Sequence, residues 1–522
     1  MQATVLTFSL VGLDAQPILV EVDSGRGIAQ FNLVGLPEAS VRESRVRVRA
    51  ALLQVGVELD ELVITVNLAP ADIKKSGGSF DLAIAIGILG ALGRIPEGAL
   101  AGTAVLGELS LSGSIKHVRG VLPVLRAAAK IGAARVVVPL ANAAEAAHVR
   151  GIDALAAEHV TEVIAHFRGE RPLSAVTPGA PSLSALRAEV DLSEMRGQHA
   201  ARRALEIAAA GGHNLLFMGP PGCGKTMAAR RLPTILPPLS PEEALEVTAI
   251  HSIAGLVPGF GLVTTRPFRA PHHTVSPAAL VGGGEPVRPG EVSLAHGGCL
   301  FLDEVAEFRR GALEALRQPL EDGTVTICRA RARAVFPAKP LFIAASNPCP
   351  CGFFGEPSRR CGCSDERVAA YRARLSGPLL DRIDLQISLR QVTISDLTRQ
   401  ATGEASSAVR ERVLAARAVQ SERADRGEVS ASVNAALGPK DIGRVAALDA
   451  AGGELLARAV ERLGLSARAY DKVLRVARTI ADLEGASAVK SAHVAEAIQM
   501  RLLDRRPISP RPADRRSPPP AA

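Results

Sequence analysis

The run Gly219-Pro220-Pro221-Gly222-Cys223-Gly224-Lys225-Thr226 fits G-x-x-x-x-G-K-[ST], a spacing of residue types that binds phosphate. Its glycines let backbone N–H groups curl around a triphosphate, and a helix starting there adds its positive dipole end. Lys225 can reach the β- and γ-phosphates, and the Thr226 hydroxyl can ligate Mg²⁺. A second set of groups follows in Cys299-Leu300-Phe301-Leu302-Asp303-Glu304, an apolar run ending in two carboxylates. Asp303 suits the Mg²⁺ shell, and Glu304 suits a general base that polarises the attacking water. Alone, the first run reads as a Gly-rich turn and the second as a solvated strand end. Together they indicate hydrolysis of ATP with Mg²⁺ rather than nucleotide storage.

Cysteines supply a third candidate chemistry. Cys349-Pro350-Cys351 and Cys361-Gly362-Cys363 are separated by nine residues. Four thiolates so close can close a tetrahedral Zn²⁺ site and staple a loop containing Gly352, Gly355, Pro357 and Gly362. Free or redox-active thiols are the alternative. Cys223, Cys299 and Cys328 read as small buried packing residues.

Positioning these groups requires particular elements. Asn214 to Met218 reads as a buried strand before the glycines, and Met227 to Leu232 as a helix stopping at Pro233. Cys299 to Leu302 reads as a central parallel strand with its acids at the ligand-binding edge. Leu341 to Ser346 forms a third such strand, opening onto Asn347. Thr324 to Pro337 alternates apolar or β-branched residues with Arg329, Arg331 and Arg333. Period-2 spacing predicts all three guanidiniums on one face of a hairpin.

On a larger scale, residues 1–168 mix strands (Leu62 to Val66, Val136 to Val138) with an apolar helix from Phe80 to Leu92. Residues 169–189 read as a Pro/Gly/Ser-rich linker, 190–394 as an α/β ATPase core, 395–503 as a helical lid and 504–522 as a disordered tail. The fold class is α/β.

Longer motifs carry a resemblance. The segments DLSEMRGQHAARRALEIAAAGGHNLLFMGPPGCGKT, RPFRAPHHTVSPAALVGGGEPVRPGEVSLAHGGCLFLDE and SGPLLDRIDL resemble the YifB/ComM family, in the magnesium-chelatase-like branch of AAA+ ATPases. The resemblance covers nearly the whole chain. It implies that Asn347 is sensor 1, although an Asn opening a turn before Pro348 is the plain reading. It implies that Arg382 is an arginine finger reaching the neighbouring subunit's γ-phosphate, against a local ion pair with Asp381 or Asp384. It makes Arg468 sensor 2, against a solvated basic face. Lys472 and Arg475 read as that solvated face.

A finger used in trans implies a ring, here a hexamer. In related rings a hairpin like 324–337 projects into the pore, where Arg329, Arg331 and Arg333 would meet a DNA backbone; an exposed, soluble hairpin is the alternative. His272 and His273 are expected to point apart, as neighbours on a strand do.

Within 1–168, DIKKSGGSFDL and GELSLSG resemble the Ser-bearing turn of Lon proteases, making Ser79 the nucleophile. Leu122 stands where the dyad lysine belongs, and Lys116 lies six residues early. The resemblance therefore implies a Lon-protease-like α+β domain without peptidase chemistry.

Composition bounds the rest. The 522 residues are 47% hydrophobic and 22% charged, ordinary for a globular protein. Only 3% are aromatic and Trp is absent, which weighs against base-stacking platforms. A net charge of +8 favours a polyanionic partner. The longest apolar run, Leu82 to Leu92, is too short to span a bilayer, and no secretory leader is visible, so a cytoplasmic location is expected. The resemblance implies a DNA motor acting on single-stranded or branched DNA, by branch migration or helicase-like remodelling, with recombination proteins as further partners. A protein-remodelling or chelatase motor, and an ATP-dependent protease, are the alternatives.

Overall fold

The computed structural model describes residues 2–75, 77–177, 190–257, 259, 261–329, 332–357, 359–375, 377–393 and 403–501. Arg331, most of the expected linker and the expected tail lie outside them. The chain forms two compact units. One comprises Met1–Glu189, Pro238–Leu300 and Phe308–Pro340; the other comprises Val190–Pro237, Phe301–Glu307 and Leu341–Ala522. This differs from the linear division read from sequence, because much of 238–340 groups with the N-terminal residues.

In the first unit a seven-stranded mixed sheet runs in the order Gln30–Val34, Leu62–Ala69, Asp14–Arg26, Gln2–Val11, Thr103–Val105, Arg135–Pro139, Asp153–Ala157. A tight hairpin sets the antiparallel register, from Gln2 opposite Asp23 to Val11 opposite Asp14. The last three strands continue parallel. Helix Asp81–Ala91 is apolar on every side and buried along nearly its whole length. Its one acid, Asp81, is also buried, and accepts from Arg47 Nε at 2.5 Å and the Leu109 N–H at 3.2 Å. A buried carboxylate tolerates this site because it is paired.

Residues 169–177, expected as linker, instead dock on this unit. Leu173 and Val176 pack on its hydrophobic clusters, and the Val176 N–H donates to the Ala154 carbonyl at 2.8 Å. Leu122 is fully buried, while Lys116 is exposed opposite Glu108.

The second unit is built on a parallel sheet. Strand Leu215–Met218 lies between Leu341–Ser346 and Leu385–Ser388, with Leu215 level with Ile343 and Leu385. All of Leu215–Met218 and Leu341–Ser346 is buried, as expected of central parallel strands. Phe301 and Leu302, ending strand Cys299–Leu302, lie on the far side of Leu341–Ser346. The helices Ser406–Asp425, Pro439–Val445, Ala450–Leu463, Ala467–Leu483 and Ser491–Gln499 follow. Among the described residues, no helix is long and apolar enough to cross a membrane.

Candidate nucleotide site

The register of the parallel strands assembles this site. Met218 is level with Ser346, and the Gly219 N–H donates to the Ser346 carbonyl at 3.2 Å. The chain leaving one strand as the glycine-rich loop therefore lies beside the chain leaving the other as Asn347. Gly222 and Gly224 take φ of +76° and +92°, left-handed conformations that cost glycine little. Helix Lys225–Arg231 starts directly after Gly224, and Pro233 falls in the 3₁₀ turn that follows it.

Lys225 is buried. Its Nζ donates to the Gly219 carbonyl at 2.7 Å, the Pro220 carbonyl at 3.0 Å and Asn347 Oδ1 at 3.0 Å. Burial lowers its pKa from the ordinary lysine value, against the pull of Cys223, Asp303 and Glu304. The Thr226 hydroxyl donates to Asp303 Oδ2 at 2.5 Å. These are two hard oxygen donors side by side. Adjacent oxygens of octahedral Mg²⁺ stand about 2.9 Å apart, so a shift of a few tenths of an ångström would fit the ion.

Glu304 is exposed and has φ of +49°, unusual for a residue with a side chain. Its N–H donates to Asp303 Oδ1 at 3.0 Å. Such backbone strain recurs where a side chain must be aimed at a reacting group.

Lys225 is thus joined directly to Asn347, and its neighbour Thr226 to Asp303. Arg382 and Arg468 gather elsewhere in the unit, around Asp381. Arg468 Nη1 pairs with Asp381 Oδ2 at 3.2 Å and is largely exposed. Arg382 Nη1 donates to the Pro378 carbonyl at 2.8 Å. Lys472 corrects the expectation of a solvated basic face. It is buried, donates to the Ile383 carbonyl at 3.0 Å and to the Asp381 carbonyl, and stands 3.7 Å from Asp384. Burial pushes its pKa down to about 8. Burial pushes Asp384 up, but His213, Lys472 and Arg475 outweigh it and hold the acid below its usual range.

Gln198 is a positioning residue that sequence reasoning had not singled out. Its amide donates to the Cys223 carbonyl at 3.0 Å and the Arg390 carbonyl at 2.8 Å, fixing the loop from behind. Asn214 is another, accepting from the Phe342 N–H at 2.9 Å and donating to the Arg382 carbonyl at 2.9 Å. Both are ordinary polar residues beside the motif, and no spacing rule marks them.

Three expectations about the first unit are corrected. In the hairpin Thr324–Arg329 with Ala332–Pro337, Arg329 is opposite Ala332 and Arg333 is opposite Cys328. Opposite residues share a face and adjacent residues do not, so Arg329 and Arg333 point to opposite faces. Counting by twos from one strand into its partner inverted the parity. Arg329 shares its side with buried Val325, Ile327, Ala334 and Phe336, whereas Arg333 lies on the exposed side. Cys328 is exposed rather than packed. His272 and His273 do not point apart; their ring centroids are 4.0 Å apart, because the chain turns there instead of running as a strand.

The four clustered cysteines converge in the second unit, every sulfur within 4.8 Å of the others. Cys349 is buried, Cys361 and Cys363 are half-buried and Cys351 is exposed.

The chain is similar to known proteins along nearly its whole length. Family models match along the chain: "subunit ChlI of Mg-chelatase" at residues 20–142, "magnesium chelatase, subunit ChlI" at 191–397 and its C-terminal part at 403–501. An uncharacterized protein named YifB from Salmonella typhimurium is 41% identical over 504 residues, 96% of this chain and 97% of its own. Competence protein ComM of Haemophilus influenzae is 42% identical over 508 residues, 96% of this chain and 98% of its own. Lon protease 2 of Bacillus subtilis is 31% identical over 145 residues, 26% of each chain.

Proposed function

The chain belongs to the YifB/ComM family of magnesium-chelatase-like AAA+ ATPases, and from that premise we propose that it is an ATP-hydrolysing ring motor acting on DNA. The observation that carries the ATPase reading is the direct joining of Lys225 to Asn347 and of Thr226 to Asp303. Lys225 exchanges its carbonyl partners for phosphate oxygens as nucleotide enters. Thr226 and Asp303 are the side chains that would hold Mg²⁺, which when bound would supply neutralisation of phosphate charge. Glu304 takes the proton of the attacking water, and Asn347 orients that water. Arg382 serves the site of the next protomer in a homo-oligomer, most simply a hexamer, and Arg468 senses the bound nucleotide.

The substrate is single-stranded or branched DNA, and the work is branch migration or helicase-like remodelling during recombination of incoming DNA. The net charge of +8 and the competence role in the name of the Haemophilus relative support this reading. The N-terminal residues form a Lon-protease-like domain without peptidase chemistry, supported by the partial match to Lon protease 2 and by apolar Leu122. The cysteine cluster holds structural Zn²⁺, and the protein works in the cytoplasm. A second reading, a chelatase-type or protein-remodelling motor, is favoured by the chelatase descriptions of all three family models.

Phosphate release by the purified protein separates the two. Turnover that rises with single-stranded or four-way DNA supports the DNA motor; turnover indifferent to every DNA supports the second reading.

A further inference from the structure

Directly after the sensor strand, Sγ atoms stand 3.3 Å apart for Cys349 and Cys351, 3.7 Å for Cys349 and Cys361, and 3.5 Å for Cys351 and Cys361. A Zn²⁺ tetrathiolate with bonds of about 2.3 Å has sulfur–sulfur edges of about 3.8 Å. A disulfide requires about 2.05 Å. The cluster is therefore sized for one shared cation rather than for pairwise bonds. The backbone is shaped to match. Gly352 turns the chain after Cys351 with φ of +85°, and the Cys363 N–H donates to Cys361 Sγ at 3.4 Å.

This knuckle also abuts the phosphate loop. A Cβ added at Gly352 would lie 2.5 Å from Pro221 Cδ and 2.8 Å from Cγ, so the Gly352 backbone packs on the Pro221 ring with no room for a methyl group. Upstream, Cys349 is two residues beyond Asn347, which holds Lys225. From behind, Arg372 donates to the Pro348 carbonyl at 3.2 Å and stacks over Phe354 at 5.0 Å. A loop rich in glycine and proline has little core of its own, and its closure depends on whatever holds the four sulfurs together.

We propose that Zn²⁺ bound by Cys349, Cys351, Cys361 and Cys363 positions the Pro221 side of the phosphate loop and Asn347, so that metal occupancy sets nucleotide affinity. The coupling rests on the ATP-site reading above; the metal site itself does not.

The test uses the full-length protein. Metal analysis is expected to find one zinc per chain, and Co²⁺ replacement to give the visible absorption of a tetrahedral thiolate site. Binding of a fluorescent ATP analogue, with Mg²⁺ held constant, is then compared in zinc-loaded, zinc-stripped and zinc-restored protein. Stripping should weaken binding about tenfold, and restoration should reverse it. Because the same molecules are stripped and restored, misfolding of a Cys363→Ser variant would not decide the matter. Absence of zinc and of a cobalt–thiolate spectrum would overturn the metal site. Zinc present with equal affinity in all three states would overturn the coupling alone. A zinc-loaded protein that binds no nucleotide would overturn the ATP-site reading and the coupling, leaving the metal site intact.

Discussion

Two places in the second unit collect positive charge, and they are finished to different degrees. At the glycine-rich loop, Lys225 contacts Asn347 and its neighbour Thr226 contacts Asp303, all within one chain. Around Asp381, Arg468 and Lys472 are occupied by local acids and carbonyls, and Arg382 holds the Pro378 carbonyl. The first arrangement is complete within one chain. The second is either structure alone or half of a site that a neighbouring chain completes. Lys225 and Lys472 make the contrast sharp: both are buried, and burial lowers both pKa values. Lys225 is held by loop carbonyls that phosphate oxygens can replace. Lys472 is wedged between the Asp381 and Ile383 carbonyls and Asp384, where no ligand is needed.

The largest expected effect tests whether the second place is half a site. Arg382→Ala should cut turnover by about 10⁴ while ATP binding persists, the scale of a lost arginine finger. Normal turnover in that variant would reduce the region to structure. Glu304→Gln should slow hydrolysis by about 10³ and trap ATP, measured by phosphate release and by retained nucleotide. Unchanged release would remove Glu304 from the chemistry.

Lys472→Met should instead destabilise the fold by about 3 kcal/mol in denaturant titration, because it leaves Asp384 buried without one of its cations. Its pH signature has a fixed sign. With a folded pKa of about 8, below the ordinary lysine value, the unfolded chain binds more protons between about pH 8 and 10.5. Wild-type stability therefore rises with pH across that window, and the Lys472→Met protein should lack the rise. Smallest is Arg468→Ala: its pair with Asp381 is exposed, so stability should move by about 0–1 kcal/mol. A several-fold loss of turnover at unchanged stability would mark it as a nucleotide sensor rather than a surface ion pair.

How much of this was legible in the sequence follows from the range of the interactions. The strand–loop–helix around the glycine-rich run was readable because its signals lie in contiguous residues, and the strands because central parallel strands are apolar throughout. Joining Asn347 to Lys225 needed the strand register, which the order of the motifs implies but does not contain. Lys472 was misread because helical spacing gave it a face but could not say what packs on that face. The hairpin failed for a simpler reason. Alternation is preserved along a strand and not from one strand to its partner, so Arg329 and Arg333, on paired strands, face opposite ways. Residues 238–340 were assigned by their place between motifs, whereas contacts made after the chain folds back group most of them with the N-terminal sheet.

Mixing two variants tests the central claim most directly. Glu304→Gln protein retains Arg382, and Arg382→Ala protein retains Glu304, so neither alone can hydrolyse ATP in a ring that shares its sites. In an equal mixture about one interface in four pairs an intact Glu304 with an intact neighbouring Arg382, and turnover should recover to about a quarter of wild type. A mixture that co-assembles with ATP yet stays at the level of its parents would contradict an active site completed by the next protomer.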